Sequence, residues 1–135
     1  MTHEVPILRS LVAVGAGFFA TAVLSLGGDL TFSHLAPHAF DGNGRPTTDQ
    51  AYAIITAYTA LFGFAGGYIA ARIASHRHVA HAVAAGLLTL VISGVVAFFM
   101  WDATPVWYNV TNLLLIVPVA FLGGKLRELQ LARDA

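Results

Sequence analysis

Residues 57–72, Ala57-Tyr58-Thr59-Ala60-Leu61-Phe62-Gly63-Phe64-Ala65-Gly66-Gly67-Tyr68-Ile69-Ala70-Ala71-Arg72, decide the fold of this chain. Traced back to Ala51, the run holds no charged residue before Arg72. At ~1.5 Å per helical residue it can cross a hydrocarbon core of ~30 Å. Thr56, Thr59, Gly63, Gly66 and Ala70 fall on one face at helical spacing, with Gly67 and Ala71 beside them. Side chains this small let a second backbone approach closely, so the face reads as a helix-packing seam. A counterpart lies near the C-terminus in Ala120-Phe121-Leu122-Gly123-Gly124-Lys125-Leu126-Arg127, where Gly123 and Gly124 again precede positive charge.

The whole chain shares this character. Its 135 residues are 57% hydrophobic and only 10% charged, with a mean hydropathy of +0.72. A soluble domain carries about a quarter charged residues, so the deficit points to an integral membrane protein. Lipid leaves no water for exposed backbone groups, and the apolar runs show no period-two alternation, which favours helices over a barrel. Four runs are long enough to span, at about 8–35, 48–74, 79–101 and 105–124, followed by a charged tail over 125–135. The expectation is a single all-α transmembrane domain, an integral membrane four-helix bundle. A signal-peptide reading of the first run is set aside because that run exceeds the ~7–15 apolar residues of a signal core.

Local signals mark the ends. Thr47 with Gln50 has the form of a capping box opening the second span. Asp41-Gly42 and Asn43-Gly44 supply turn chemistry to the loop before it, and His76-Arg77-His78 is a tight polar turn. Thr104-Pro105 places an N-cap and a first-turn proline before the fourth span. Arg9, Arg72, Arg77, Lys125, Arg127 and Arg133 fall on one side of such a bundle and only Arg45 on the other, so both termini are expected in the cytoplasm. Trp101, Trp107 and Tyr108 then form an aromatic belt at the outer interface.

The two halves resemble each other. Val14-Gly15-Ala16-Gly17 is answered by Ala84-Ala85-Gly86, and Gly66-Gly67 by Gly123-Gly124, which suggests a parallel 2+2 internal repeat about the membrane normal. The pieces Gly66-Gly67-Tyr68-Ile69-Ala70-Ala71-Arg72, Pro105-Val106-Trp107-Tyr108 and Leu122-Gly123-Gly124-Lys125-Leu126-Arg127 follow one another in an order that resembles a group of uncharacterised small four-span bacterial membrane proteins. That resemblance implies the bacterial cytoplasmic (inner) membrane, and it implies no activity.

Chemistry is sparse. A carboxylate in an apolar span is a candidate site by default. Asp29 has Ser33, His34, Asp102, Asn109 and Asn112 at the same outer end, a candidate polar site for a cation or a proton relay. His34 and His38 are four apart, but Pro37 breaks the helical geometry that would let them share a metal. His76, His78 and His81 sit in or beside a turn and read as interfacial residues, so no metal site and no cofactor is expected. With no cysteine there is no disulfide, thiolate site or iron–sulfur cluster, and with no basic run there is no nucleic-acid surface. Asn109-Val110-Thr111 matches a glycosylation sequon but opens a span. Pro118 frees a carbonyl near Leu114 and is expected to kink the fourth span. No nucleophile, base and orienting group occur together, so no enzyme is expected.

The lipid bilayer is the first expected partner. The surplus of small residues points to a non-catalytic accessory or scaffolding subunit, docking through Thr59, Gly63, Gly66, Gly67, Ala70, Gly123 and Gly124 on other membrane subunits or on copies of itself. The alternative is a homo-oligomeric transporter or channel for a small solute or cation, with its polar site near Asp29.

Overall fold

The computed structural model describes residues 4–135, with side chains from Pro6 onward. Four helices run Glu4–Leu35 (α1), Asp49–Ile73 (α2), His78–Phe99 (α3) and Val106–Asp134 (α4), with single 3₁₀ turns at Pro37–Ala39 and Trp101–Ala103. All four are long and apolar enough to cross a membrane. The described residues form an all-helical bundle in which successive helices run antiparallel, so the start of α1 and the end of α4 share one end of the molecule. We call this the terminal end and the opposite one the loop end.

α2 is the central helix, packed against α1 and α4 and touching α3; α3 also packs on α4, whereas α1 and α4 scarcely meet. The parallel pair α2 and α4 keeps a constant register. Tyr52 packs against Tyr108 with ring centroids 4.8 Å apart and planes tilted by 56°, Thr56 bonds Asn112, and Gly63 lies beneath Val119. Further down, Gly67 faces the backbone of Ala120 while Gly123 reciprocally faces Phe64 and Tyr68. The seam expected on one face of α2 is in fact two seams. Gly66 and Ala70 turn to Gly17 and Thr21 of α1, whereas Gly63 and Gly67 turn to α4. Neighbouring helical positions are ~100° apart, so adjacent glycines serve different partners.

Buried residues concentrate at the terminal end. Ala13, Gly17, Gly66, Gly67, Ala70, Ala71, Ala74, Ala82, Ala85, Gly86, Ala120, Gly123 and Gly124 are all buried there. The loop-end halves of α1 and α3 contain no buried residue, and at that end only Ala51, Tyr52, Ile55 and Asn109 of the α2–α4 pair are buried. The helices therefore converge through small residues at one end and diverge at the other.

Several boundaries differ from expectation. α2 is capped by Thr48, whose hydroxyl accepts from the Ala51 N–H at 3.2 Å; Thr47 instead donates to Ala39 O and ties the loop down. Capping is set by the extended backbone at Thr48 (φ −131°, ψ 153°), a property the Thr47/Gln50 spacing does not reveal. Pro105, not Thr104, is the N-cap of α4 and offers it no side-chain bond. The tail beyond Gly124 is helix as far as Asp134, held by a 2.7 Å bond from Tyr68 OH to Gln130 Oε1. Pro118 lies inside α4 without ending it.

The loop from Asp41 to Arg45 is built around one carboxylate, which accepts from the N–H of Arg45 at 2.9 Å and of Asn43 at 2.8 Å. These two bonds, with Arg45's charge behind them, hold Asp41 below the usual carboxylate range. Its contribution to loop order is therefore present above the ordinary carboxylate pKa and fades as pH falls through the lowered value. Gly44 takes the left-handed conformation (φ +76°) that closes the turn.

At the terminal end, Arg77 is also left-handed (φ +47°), and the bonds around it compensate. Carbonyl oxygens only accept, so His78 donates Nδ1–H to Ala71 O at 2.7 Å and His81 donates Nδ1–H to Arg77 O at 2.9 Å. His81 Nε2 is then left to accept from Ser10 Oγ at 2.9 Å. Arg9 Nε donates to Ile73 O at 2.7 Å, placing a cation on the negative end of α2. His78 and His81 thus act as caps and helix ties.

Candidate functional site

The polar residues expected together at the loop end are divided by the bundle. Asp29 is exposed on α1 and accepts a hydrogen bond from Tyr58 OH, on the α1-facing side of α2. Ser33 donates to Leu30 O of its own helix at 2.9 Å, while His34 and Asp102 are exposed. Only Asn109 and Asn112 enter the bundle. The sequence places all six at one depth but says nothing of azimuth, and azimuth separates them. Among the described residues, no group of three or more His, Asp or Glu side chains comes together as a metal site.

Asp29→Asn should therefore be nearly silent. The amide oxygen can still accept from Tyr58, and an exposed site tolerates the loss of charge, so stability should stay within about 0.5 kcal/mol of wild type. Thermal unfolding in detergent measures this. A loss above about 1.5 kcal/mol would show that the carboxylate carries structural weight beyond this bond.

Where the helices diverge, they leave a cavity of about 410 Å³ in the middle of the bundle. Each helix contributes a pair of small polar side chains at helical spacing: Thr21 and Ser25, Thr56 and Thr59, Thr89 and Ser93, Asn109 and Asn112. Val96, Ala97, Ile116 and Val119 supply apolar surface. No charged side chain lines the space. Read from sequence, Thr56 and Thr59 belong to a packing seam, Thr21 and Ser25 share a face with Asp29, and Thr89 and Ser93 stand out in no way, because hydroxyl residues in apolar spans carry no chemistry singly. Their recurrence once per span, three or four residues apart, is the signal that could have found them.

The hydrogen bonds decide what the cavity offers. Thr21, Thr56, Thr59 and Thr89 donate to carbonyls of their own helices at 2.8–3.0 Å, which turns oxygen lone pairs inward. Asn112 joins α4 to α2, donating to Thr56 Oγ1 at 3.1 Å and to Tyr108 O at 2.8 Å, with its oxygen 3.3 Å from Thr59 Oγ1. Asn109 is 5% exposed; its oxygen accepts from Thr104 at 2.9 Å and its Nδ2 has no partner. The site is a mixed apolar and hydroxyl-lined chamber with no charged side chain in its wall. No family model, curated protein or solved structure matches the chain.

Proposed function

We propose that this chain is a non-catalytic multi-pass protein of the bacterial cytoplasmic membrane that binds a small uncharged molecule inside its bundle. The observation behind this is the charge-free central cavity of about 410 Å³, within the range of pockets that take small molecules. Six of the chain's seven Lys and Arg residues belong to the terminal end, which supports a cytoplasmic location for both termini. The in-register pairing of α2 with α4 supports an internal repeat carried by those two helices.

An accessory or scaffolding role is the second reading, and the small-residue faces do not by themselves call for a partner. Gly66, Gly67, Ala70, Gly123 and Gly124 are buried against other helices of the same chain and are not free for a partner. What still favours a partner is the extension of α4, where Leu126 and Leu129 are exposed on a helix continuing past the apolar span.

Native mass spectrometry of the protein taken from its own membrane in mild detergent separates the two roles. A small molecule should co-purify in stoichiometric amount, and Ser93→Phe, which fills the cavity from α3, should abolish it while the bundle remains folded. A stoichiometric partner chain with no small molecule in either protein would overturn the ligand-binding role.

A further inference from the structure

Resting on the ligand-binding role just proposed, we infer that the bound molecule is a bilayer-dissolved alcohol, an uncharged amphiphile that enters sideways past the loop-end half of α3 and hydrogen-bonds through its O–H group to Ser25 and Ser93. Two independent observations meet here, one on polarity and one on access.

The first is the way the wall has spent its hydrogen bonds. A hydroxyl on a helix in an apolar span satisfies itself by donating to the carbonyl four residues back. Thr21, Thr56, Thr59 and Thr89 do so, and Asn112 gives both its amide hydrogens, to Thr56 Oγ1 and to Tyr108 O. Ser25 and Ser93 do not. Both line the cavity and are half-buried; neither side-chain oxygen has a hydrogen-bond partner among the described residues, and neither is closed off as Asn109 Nδ2 is. They lie on α1 and α3, one turn beyond Thr21 and Thr89 toward the loop end. A serine hydroxyl both gives and takes a hydrogen bond, and one that turns onto its own helix, as its threonine neighbour does, still has an oxygen that accepts. An entering O–H therefore meets acceptors in every such arrangement, and can take a hydrogen from whichever serine has one to give. An ether, ester or ketone can only take.

The second is the side of the bundle on which those serines lie. Ile92, Val96 and Met100 line the cavity and are also 41%, 57% and 38% exposed, so its α3 wall is at the same time an apolar outer surface, which in a membrane faces lipid rather than water. α1 and α3 touch toward the terminal end, at Ser10 with His81 and Gly17 with Ala85. Beyond that contact α1 has no buried residue after Gly17 and α3 none after Gly86. The two helices that carry Ser25 and Ser93 thus flank the way in. A molecule arriving by this path must dissolve in lipid, and inside it meets apolar surface with two unspent hydroxyls. A hydroxyl on an otherwise apolar body satisfies both conditions.

The test uses the full-length protein in phosphatidylcholine nanodiscs, with native mass spectrometry reading what each protein holds. The probes are chain-deuterated dodecanol and unlabelled methyl undecyl ether, isomers told apart by the label and present at equal mole fraction in the bilayer. The ether keeps an acceptor oxygen and lacks the O–H, so the bound ratio reports donation by the guest. The wild-type protein should hold the alcohol about tenfold more tightly than the ether, the worth of one hydrogen bond. Ser25→Ala combined with Ser93→Ala, a change helices accept readily, should reduce that preference to less than about twofold while ether binding stays within about twofold. Ser25→Thr combined with Ser93→Thr keeps both oxygens and should retain the preference. Dioctanoylglycerol that displaces dodecanol would identify a lipid's own hydroxyl as the guest group, and failure to displace it would identify a free alcohol. Equal binding of alcohol and ether by the wild-type protein would overturn the hydroxyl inference and leave the cavity as a binding site. A preference undiminished in the double alanine variant would overturn the assignment to these serines. Absence of binding by either probe, unchanged in Ser93→Phe, would sink both the inference and the ligand-binding role.

Discussion

Gly67→Leu and Gly123→Leu should each cost about 3 kcal/mol, at the upper end of what overpacking does to a well-packed interior. A Cβ at Gly67 would collide with the carbonyl oxygen of Ala120 and stand 2.7 Å from its Cα; a Cβ at Gly123 would collide with Phe64 O and stand 2.7 Å from Tyr68 N. These neighbours are backbone atoms of a helix, which cannot rotate aside as a side chain can. The helices themselves must part, and with them the packed tyrosines and the bonds of Asn112. Once they have parted, the second substitution meets little resistance, so the double variant should cost distinctly less than the sum of the two. Gly94→Ala is the control. A Cβ there meets nothing within 4 Å, and the better helix propensity of alanine should leave stability unchanged or slightly higher. Folded fraction against SDS mole fraction measures all four proteins, and single variants as stable as wild type would refute the reciprocal crossing.

Gly66→Leu should act on a different interface although it is one residue away. Its side chain would run into Thr21 Oγ1 and Gly17 O, both on α1. We expect a loss of about 2–3 kcal/mol, expressed as release of α1 rather than separation of α2 from α4. The chain has no native cysteine, which gives a clean reporter. Ala13 is fully buried, so Ala13→Cys should react slowly with a maleimide in the otherwise native protein. The rate should rise at least about tenfold in the Gly66→Leu background, as expected when a core position opens locally, and much less in the Gly67→Leu background. Equal acceleration by both would mean that the bundle opens as one unit and that the two seams are not separable.

The helices were legible because four long uncharged runs in a chain this poor in charge leave no other arrangement in lipid. Their ends were less so. Thr47 and Thr48 are chemically equivalent candidates for a cap, and the choice is made by how the loop is tied to Ala39. The segment Lys125 to Asp134 reads as a solvated tail by polarity, yet Leu, Arg, Glu, Gln and Ala are good helix formers and simply continue α4. For the site, depth was readable and direction was not. Asp29 and Asn109 share the loop end, but Asp29 turns outward beside Tyr58 while Asn109 turns into the cavity. The sequence marks Gly66 and Gly67 as places where a helix can come close; which helix each meets depends on the handedness of the whole bundle, and no local pattern carries that.

The one-ended convergence of the bundle would also set how fast a guest could enter it. Small residues in backbone contact fix the helices at the terminal end, and nothing comparable clamps α3 beyond Gly86. Admission past Ile92, Val96 and Met100 asks only for changes of side-chain rotamer, with unbranched Met100 the most adaptable of the three. No main-chain bond has to break. The way in would then open on the clock of side-chain hopping, roughly picoseconds to nanoseconds, rather than the roughly microseconds to milliseconds of moving helices, and a guest's residence time would be set by how well it is held inside rather than by a gate.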